Sequence, residues 1–143
     1  MKRLLALTLI VCFLLAFAGC HRQTRAKREI FDLVAGNYDA ILTACENKDT
    51  ETLLAIEGIT AVKATDGYIL VYCTGAGIAP SSQDYGFYYT EENRPVAVDC
   101  NLEILCDADA LVPEGAGYQF ITHGNVFYTE QIKGAFYYYS AAY

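Results

Sequence analysis

The hydrophobic period of this chain changes once, near Gly58, and that change admits few folds. Over residues 28–47 the apolar positions Ile30, Phe31, Val34, Tyr38, Ile41, Leu42 and Cys45 recur every three or four residues, the stripe of an amphipathic helix. Glu29 and Asp32 stand in its first turn, where negative charge suits the helix dipole. Gly36-Asn37 is its weak point, since a glycine inside a helix costs about 1 kcal/mol relative to alanine. Asp49 or Thr50 then caps a shorter helical piece over residues 51–56 that stops at Gly58.

Beyond Gly58, β-prone runs replace the helical spacing. Residues 59–65 and 68–74 flank Asp66-Gly67, and an Asp-Gly pair between apolar runs predicts a hairpin, because a type I′ turn needs positive φ at both central positions. Residues 75–84, rich in Gly, Pro and Ser, are expected to form a loop. A strand over 85–90, a turn over 91–95 and one or two strands over 96–105 follow. A second irregular stretch, 106–117, leads to a strand over 118–122. His123-Gly124-Asn125 turns the chain into 126–130, and 135–139 is the last strand. Helices followed by strands predict an α+β domain, with N-terminal helices packed on an antiparallel, tyrosine-rich meander of five to seven strands. Tyr137-Tyr138-Tyr139 alternates phenols across both faces, so the sheet is expected to be covered on one side and half-wet on the other.

The N-terminus has a separate logic. Lys2 and Arg3 precede an apolar run from Leu4 to Phe17, and the small residues Ala18 and Gly19 lead into Cys20. This is the layout of an export signal, and the cysteine after the small residues resembles a bacterial lipobox, with Phe17 in the place usually taken by leucine. The resemblance implies a signal peptide over 1–19, cleavage before Cys20, and lipid on Cys20 holding the protein at the outer side of a bacterial cell membrane. A plain secretory signal is a competing layout, since Ala16-Phe17-Ala18 also satisfies the small-x-small rule. An uncleaved anchor fits less well, because an apolar run of roughly 16 residues falls short of the ~20 that span a bilayer. Residues 20–28 carry four basic side chains and no acid, a basic tether suited to anionic headgroups at about 1 kcal/mol per charge, or else a solvated lead-in to the first helix.

From Glu29 onward, Lys48, Lys63, Arg94 and Lys133 stand against all 17 acidic residues of the chain. This acidic domain over 29–143 argues against nucleic acid, which requires clustered Lys and Arg, and it is repelled by an anionic surface. Four cysteines remain in it: Cys45, Cys73, Cys100 and Cys106. In an exported protein an even count favours disulfides, with Cys100–Cys106 closing a short loop and Cys45–Cys73 joining helix to sheet. The alternative is four thiols acting as small hydrophobes.

No catalytic constellation is recognisable. His123 is the lone imidazole of the domain, and Ser81, Ser82 and Ser140 lie in no nucleophile elbow. His123 beside Gly124-Asn125 suits a turn. Asp107, Asp109 and Glu114 lack the calcium-loop pattern and suit a solvated acidic turn. Gly75-Ala76-Gly77 has no following Lys-Ser/Thr, so it is no phosphate cradle. No metal or cofactor is expected.

The remaining signal is aromatic: Tyr85, Phe87, Tyr88 and Tyr89, then Phe127 and Tyr128, then Phe136 to Tyr139 with Tyr143. Such rows can form a rigid platform for a glycan or extended peptide, or can simply fill a half-buried sheet. Tyr85-Gly86-Phe87-Tyr88-Tyr89-Thr90, Tyr128-Thr129-Glu130-Gln131-Ile132 and the triplet Tyr137-Tyr138-Tyr139 resemble segments of a loose set of small bacterial lipoproteins. That set carries no known activity, so the resemblance implies a fold and an anchor. The expectation is a non-enzymatic, lipid-anchored envelope protein that binds a partner, peptide or glycan through the face holding Tyr88, Tyr137 and Tyr139. Alternatives are a structural or inhibitory partner of another envelope protein, and a surface hydrolase with His123 as base.

Overall fold

The computed structural model describes residues 23–78 and 81–143; the signal over 1–19, Cys20 and the start of the tether lie outside them. Helix α1 covers residues 23–36, so Arg25, Lys27 and Arg28 of the expected tether belong to a helix. It buries Ala26, Ile30 and Val34, four apart along one face. Asn37 interrupts it, at the Gly36-Asn37 weak point, before helix α2 (Tyr38–Glu46). Helix α3 (Thr50–Leu54) is capped by Asp49, whose carboxylate accepts from the Thr52 backbone N–H at 3.0 Å and the Thr52 hydroxyl at 2.6 Å.

Nine strands follow: β1 (Ala61–Thr65), β2 (Tyr68–Ile78), β3 (Ser81–Thr90), β4 (Ala97–Val98), β5 (Ile104–Cys106), β6 (Val112–Glu114), β7 (Gly117–Thr122), β8 (Asn125–Lys133) and β9 (Phe136–Ala142), with a 3-10 turn at Ala108–Ala110. Seven of them form one antiparallel sheet in the order β1-β2-β3-β9-β8-β7-β6, and β4 pairs with β5 apart from it. The fold is α+β, with the helices first in the chain and the sheet after them. The meander is in fact two meanders, β1-β2-β3 and β6-β7-β8-β9, fused where β9 lies against β3.

The hairpin at Asp66-Gly67 is present, with Thr65 opposite Tyr68 and Gly67 at φ +78°. The expected loop over 75–84 is corrected: β2 and β3 stay paired through Gly75–Asp84 and Gly77–Ser82. Glycine makes this approach feasible, because a Cβ on Gly77 would sit 2.3 Å from the Ser81 carbonyl oxygen. A bulge at Cys73 adds twist before that extension. Residues 96–105 form less strand than expected, only β4 and the start of β5.

Alternation sorts the sheet into two faces. Ile69, Val71, Tyr85, Phe87, Phe136 and Tyr138 pack with the helices. Leu70, Tyr88, Tyr137 and Tyr139 face the other way and lie beneath Val96, Val98 and Leu102, while Phe127 and Ala141 lie beneath Ala97 and Leu111. The segment between β3 and β6 is therefore a cover for the second face. No helix among the described residues is long and apolar enough to cross a membrane.

Candidate functional site

The tyrosines expected to form an open binding platform are buried, which corrects the half-wet face. Tyr88, Tyr137 and Tyr139 are 0%, 5% and 0% exposed, and Tyr88 and Tyr137 stack with centroids 5.3 Å apart. The hydroxyls of Tyr88 and Tyr137, with that of Tyr143, fasten the cover, while the buried Tyr139 hydroxyl makes no hydrogen bond. The Tyr88 oxygen accepts from the Val96 backbone N–H at 2.9 Å. Thr129 gives its own proton to the Tyr138 carbonyl at 3.1 Å, so the Tyr88 proton goes to Thr129 Oγ1 at 2.7 Å, with the Val96 carbonyl farther away at 3.2 Å. The Tyr137 hydroxyl lies 3.0 Å from Asn93 Oδ1, and the Cys100 backbone N–H donates to the Tyr143 hydroxyl at 2.9 Å. Three tyrosine tips thus pin three points of one irregular segment. Desolvation raises the Tyr88 and Tyr139 pKa values, keeping both as neutral phenols.

The cysteines are not paired: Cys45, Cys73, Cys100 and Cys106 are free thiols. Cys45 and Cys73 belong to the helix-side core, and burial pushes each thiol up to about 12. Cys100 is exposed. His123 sits at φ +50° in the turn between β7 and β8, its Nδ1 2.9 Å from Thr122 Oγ1. Ser140 pairs with Tyr128, three strand positions or about 10 Å beyond Asn125, so His123 and Ser140 are not brought together. Asp109 meets only Arg94, at 3.8 Å, and among the described residues no group of three or more His, Cys, Asp or Glu is placed to hold a metal ion.

A different place is open. A cleft of about 460 Å³ opens between α1 and the β8–β9 part of the sheet. Gln23, Thr24 and Lys27 form its helical wall, and Tyr128, Tyr138, Ser140 and Ala142 its floor, with Gln83, Gln119, Val126 and Glu114 at the sides. Lys27 reaches across the chain to an ion pair with Glu130, whose carboxylate also accepts from the Tyr128 hydroxyl at 2.5 Å. Lys27 Nζ lies 5.5 Å from the Phe31 ring centroid and 5.8 Å from that of Tyr128, within cation–π range. Burial first, then the hydrogen bond to Glu130, raises the Tyr128 pKa, and burial raises that of Tyr138. Both remain hydroxyl donors. The Tyr138 oxygen is buried, with the Ser140 hydroxyl as its polar neighbour and no close hydrogen bond.

Pairing extends this surface outward. Gln119 is opposite Val112 on β6, and Ile121 is opposite Val126 on β8, so these side chains share the cleft's face of the sheet. Val112 and Ile121 are each 58% exposed and Val126 37%. Sequence reasoning missed the site because Lys27 and Glu130 are 103 positions apart, and nothing local announces their meeting. No protein-family model matches the chain, and neither a curated protein nor a solved structure shows significant similarity to it.

Proposed function

We propose that this protein is exported through residues 1–19, lipid-anchored at Cys20 to the bacterial cell envelope, and serves there as a non-enzymatic binding or accessory module. The observation that carries the binding reading is the uncovered cleft between α1 and the β8–β9 part of the sheet, in a domain whose other sheet face is sealed. The anchored reading rests on the N-terminal sequence, and it would set the place of the cleft. Gln23 in the cleft wall is three residues after Cys20, and three extended residues span at most about 11 Å. A lipid on Cys20 would hold the cleft within that distance of the headgroups, so its ligand would be met at the membrane surface.

Intact-protein mass spectrometry on membrane-extracted material tests the anchor. An N-terminus at Cys20 carrying acyl mass, lost in Cys20→Ala, is the expected result; an unmodified chain in the medium would replace the anchored reading with a secreted one. A second reading, docking to another envelope protein, draws on the exposed Val112 and Ile121 beside the cleft. Co-purification of a stoichiometric protein, released by Ile121→Asp, would favour it.

A further inference from the structure

We propose that the cleft takes an uncharged saccharide chain, an inference that rests on the cleft being the binding site and names the chemistry it selects. Sugar hydroxyls donate and accept at once, so they are matched by planar amides, carboxylates and hydroxyls set beside aromatic rings that cover the C–H face of a pyranose. The cleft supplies polar groups around the half-buried Tyr128 ring. The Gln83 carbonyl oxygen accepts from the Tyr85 hydroxyl at 2.5 Å, which orients the amide and leaves its NH₂ group as a donor. Gln119 offers a second amide from β7. Glu130, behind the lining, fixes Lys27 and Tyr128 in place. Tyr138 is 1% exposed and has the Ser140 hydroxyl as its polar neighbour. Ser140 itself lines the cleft as a further donor and acceptor.

The same residues disfavour the competing classes. Among the described lining residues Lys27 is the one cation and is already paired, and Glu114 is acidic, so they offer no free positive charge to a phosphate-bearing or polyanionic ligand. An acyl chain would cover Gln83 and Gln119 without replacing their hydrogen bonds. A peptide added as a strand needs an unpaired edge, and the floor strands β8 and β9 are each paired on both sides.

The test is titration calorimetry of the full chain in detergent micelles with three neutral tetrasaccharides (β1,4-linked N-acetylglucosamine, cellotetraose and maltotetraose) and with anionic tetragalacturonate. Cosedimentation with isolated insoluble cell-wall glycan and with solubilised envelope protein accompanies it. Binding of a neutral tetramer, of the insoluble glycan, or of both is the expected result. It should weaken at least tenfold in Gln83→Ala and in Gln119→Ala, with their thermal unfolding unchanged. Binding of the soluble tetramer alone identifies a free oligosaccharide as the source; binding of the polymer alone identifies the wall. Failure of every neutral glycan overturns the saccharide proposal. If envelope protein or tetragalacturonate is then retained and Gln119→Arg abolishes the retention, the cleft remains the binding site with a different ligand. If Gln119→Arg retains everything that the wild type retains, the cleft reading falls too.

Discussion

Tyr88 and Tyr138 lie on neighbouring central strands and point to opposite faces of one sheet, and their hydroxyls have opposite fates. The Tyr88 oxygen is used on every side, by Val96 and Thr129. The Tyr138 oxygen, beside an open cleft, has the Ser140 hydroxyl as neighbour and no close hydrogen bond. A tyrosine-rich strand therefore does not announce a binding face. What separates the two faces is the cover laid on each: an irregular segment pinned at three points on one, and helices with a cleft between α1 and the sheet on the other.

The sharpest way to break the closed face is Gly86→Ala. An added Cβ would lie 2.0 Å from the Val71 carbonyl oxygen and 2.6 Å from Tyr139 Cε1. It should cost about 3 kcal/mol or more of unfolding free energy, seen as a lower denaturant midpoint, whereas Gly36→Ala, with nothing within 4 Å, should not destabilise. Tyr88→Phe comes next. It strands the Val96 N–H and removes the donor to Thr129 Oγ1, and should cost about 2 kcal/mol while exposing the cover to proteolysis.

On the open side, Lys27→Met leaves the Glu130 carboxylate, 12% exposed, without its cation. Between the exposed and buried limits for broken ion pairs, about 1–2 kcal/mol is expected, with faster amide exchange in the first turns of α1. A smaller, pH-dependent effect belongs to the core under the helices. Cys45 and Cys73 titrate near 12 in the folded protein against a reference of 9.0. Above pH 9 the unfolded chain loses protons that the folded one keeps. Stability contributed by these thiols is whole below that pH and falls as pH rises toward 12, by at most about 1.4 kcal/mol per thiol per pH unit. Unfolding at pH 8 and pH 10 should show a shallower fall in Cys45→Ala than in the wild type. Tyr138→Phe should change stability least, by about 0–1 kcal/mol in either direction. A loss as large as that of Tyr88→Phe would mean that the two hydroxyls are equally used and would end the contrast.

Local chemistry made much of the fold legible. The stripe from Ile30 to Cys45, the Asp49 cap and the Asp66-Gly67 turn all act within a few residues, and the structure places each where its side chains require. The strand pairing of 75–84 was hidden because Gly75 and Gly77 are turn formers by composition and close-approach residues in fact. The site was less legible still. Val96, Val98 and Leu102 are apolar residues in an otherwise irregular stretch, and their need for burial was the available sign that the tyrosine face is covered. The cleft had no such sign, since its walls come from residues far apart in the chain, Gln23 to Lys27 on one side and Tyr128 to Ala142 on the other.

The position of β9 has a consequence for the order in which the molecule can be made. It follows every other described strand in the chain, yet it stands at the sheet's midpoint, bonded to β3 on one side and β8 on the other. Until residues 136–142 emerge from a ribosome or a translocation pore, β1-β2-β3 and β6-β7-β8 are separate ribbons. Each then has an unpaired edge, and Tyr88 lacks Thr129. The sheet thus stays in two unjoined halves by its own topology, and closes only when its keystone arrives.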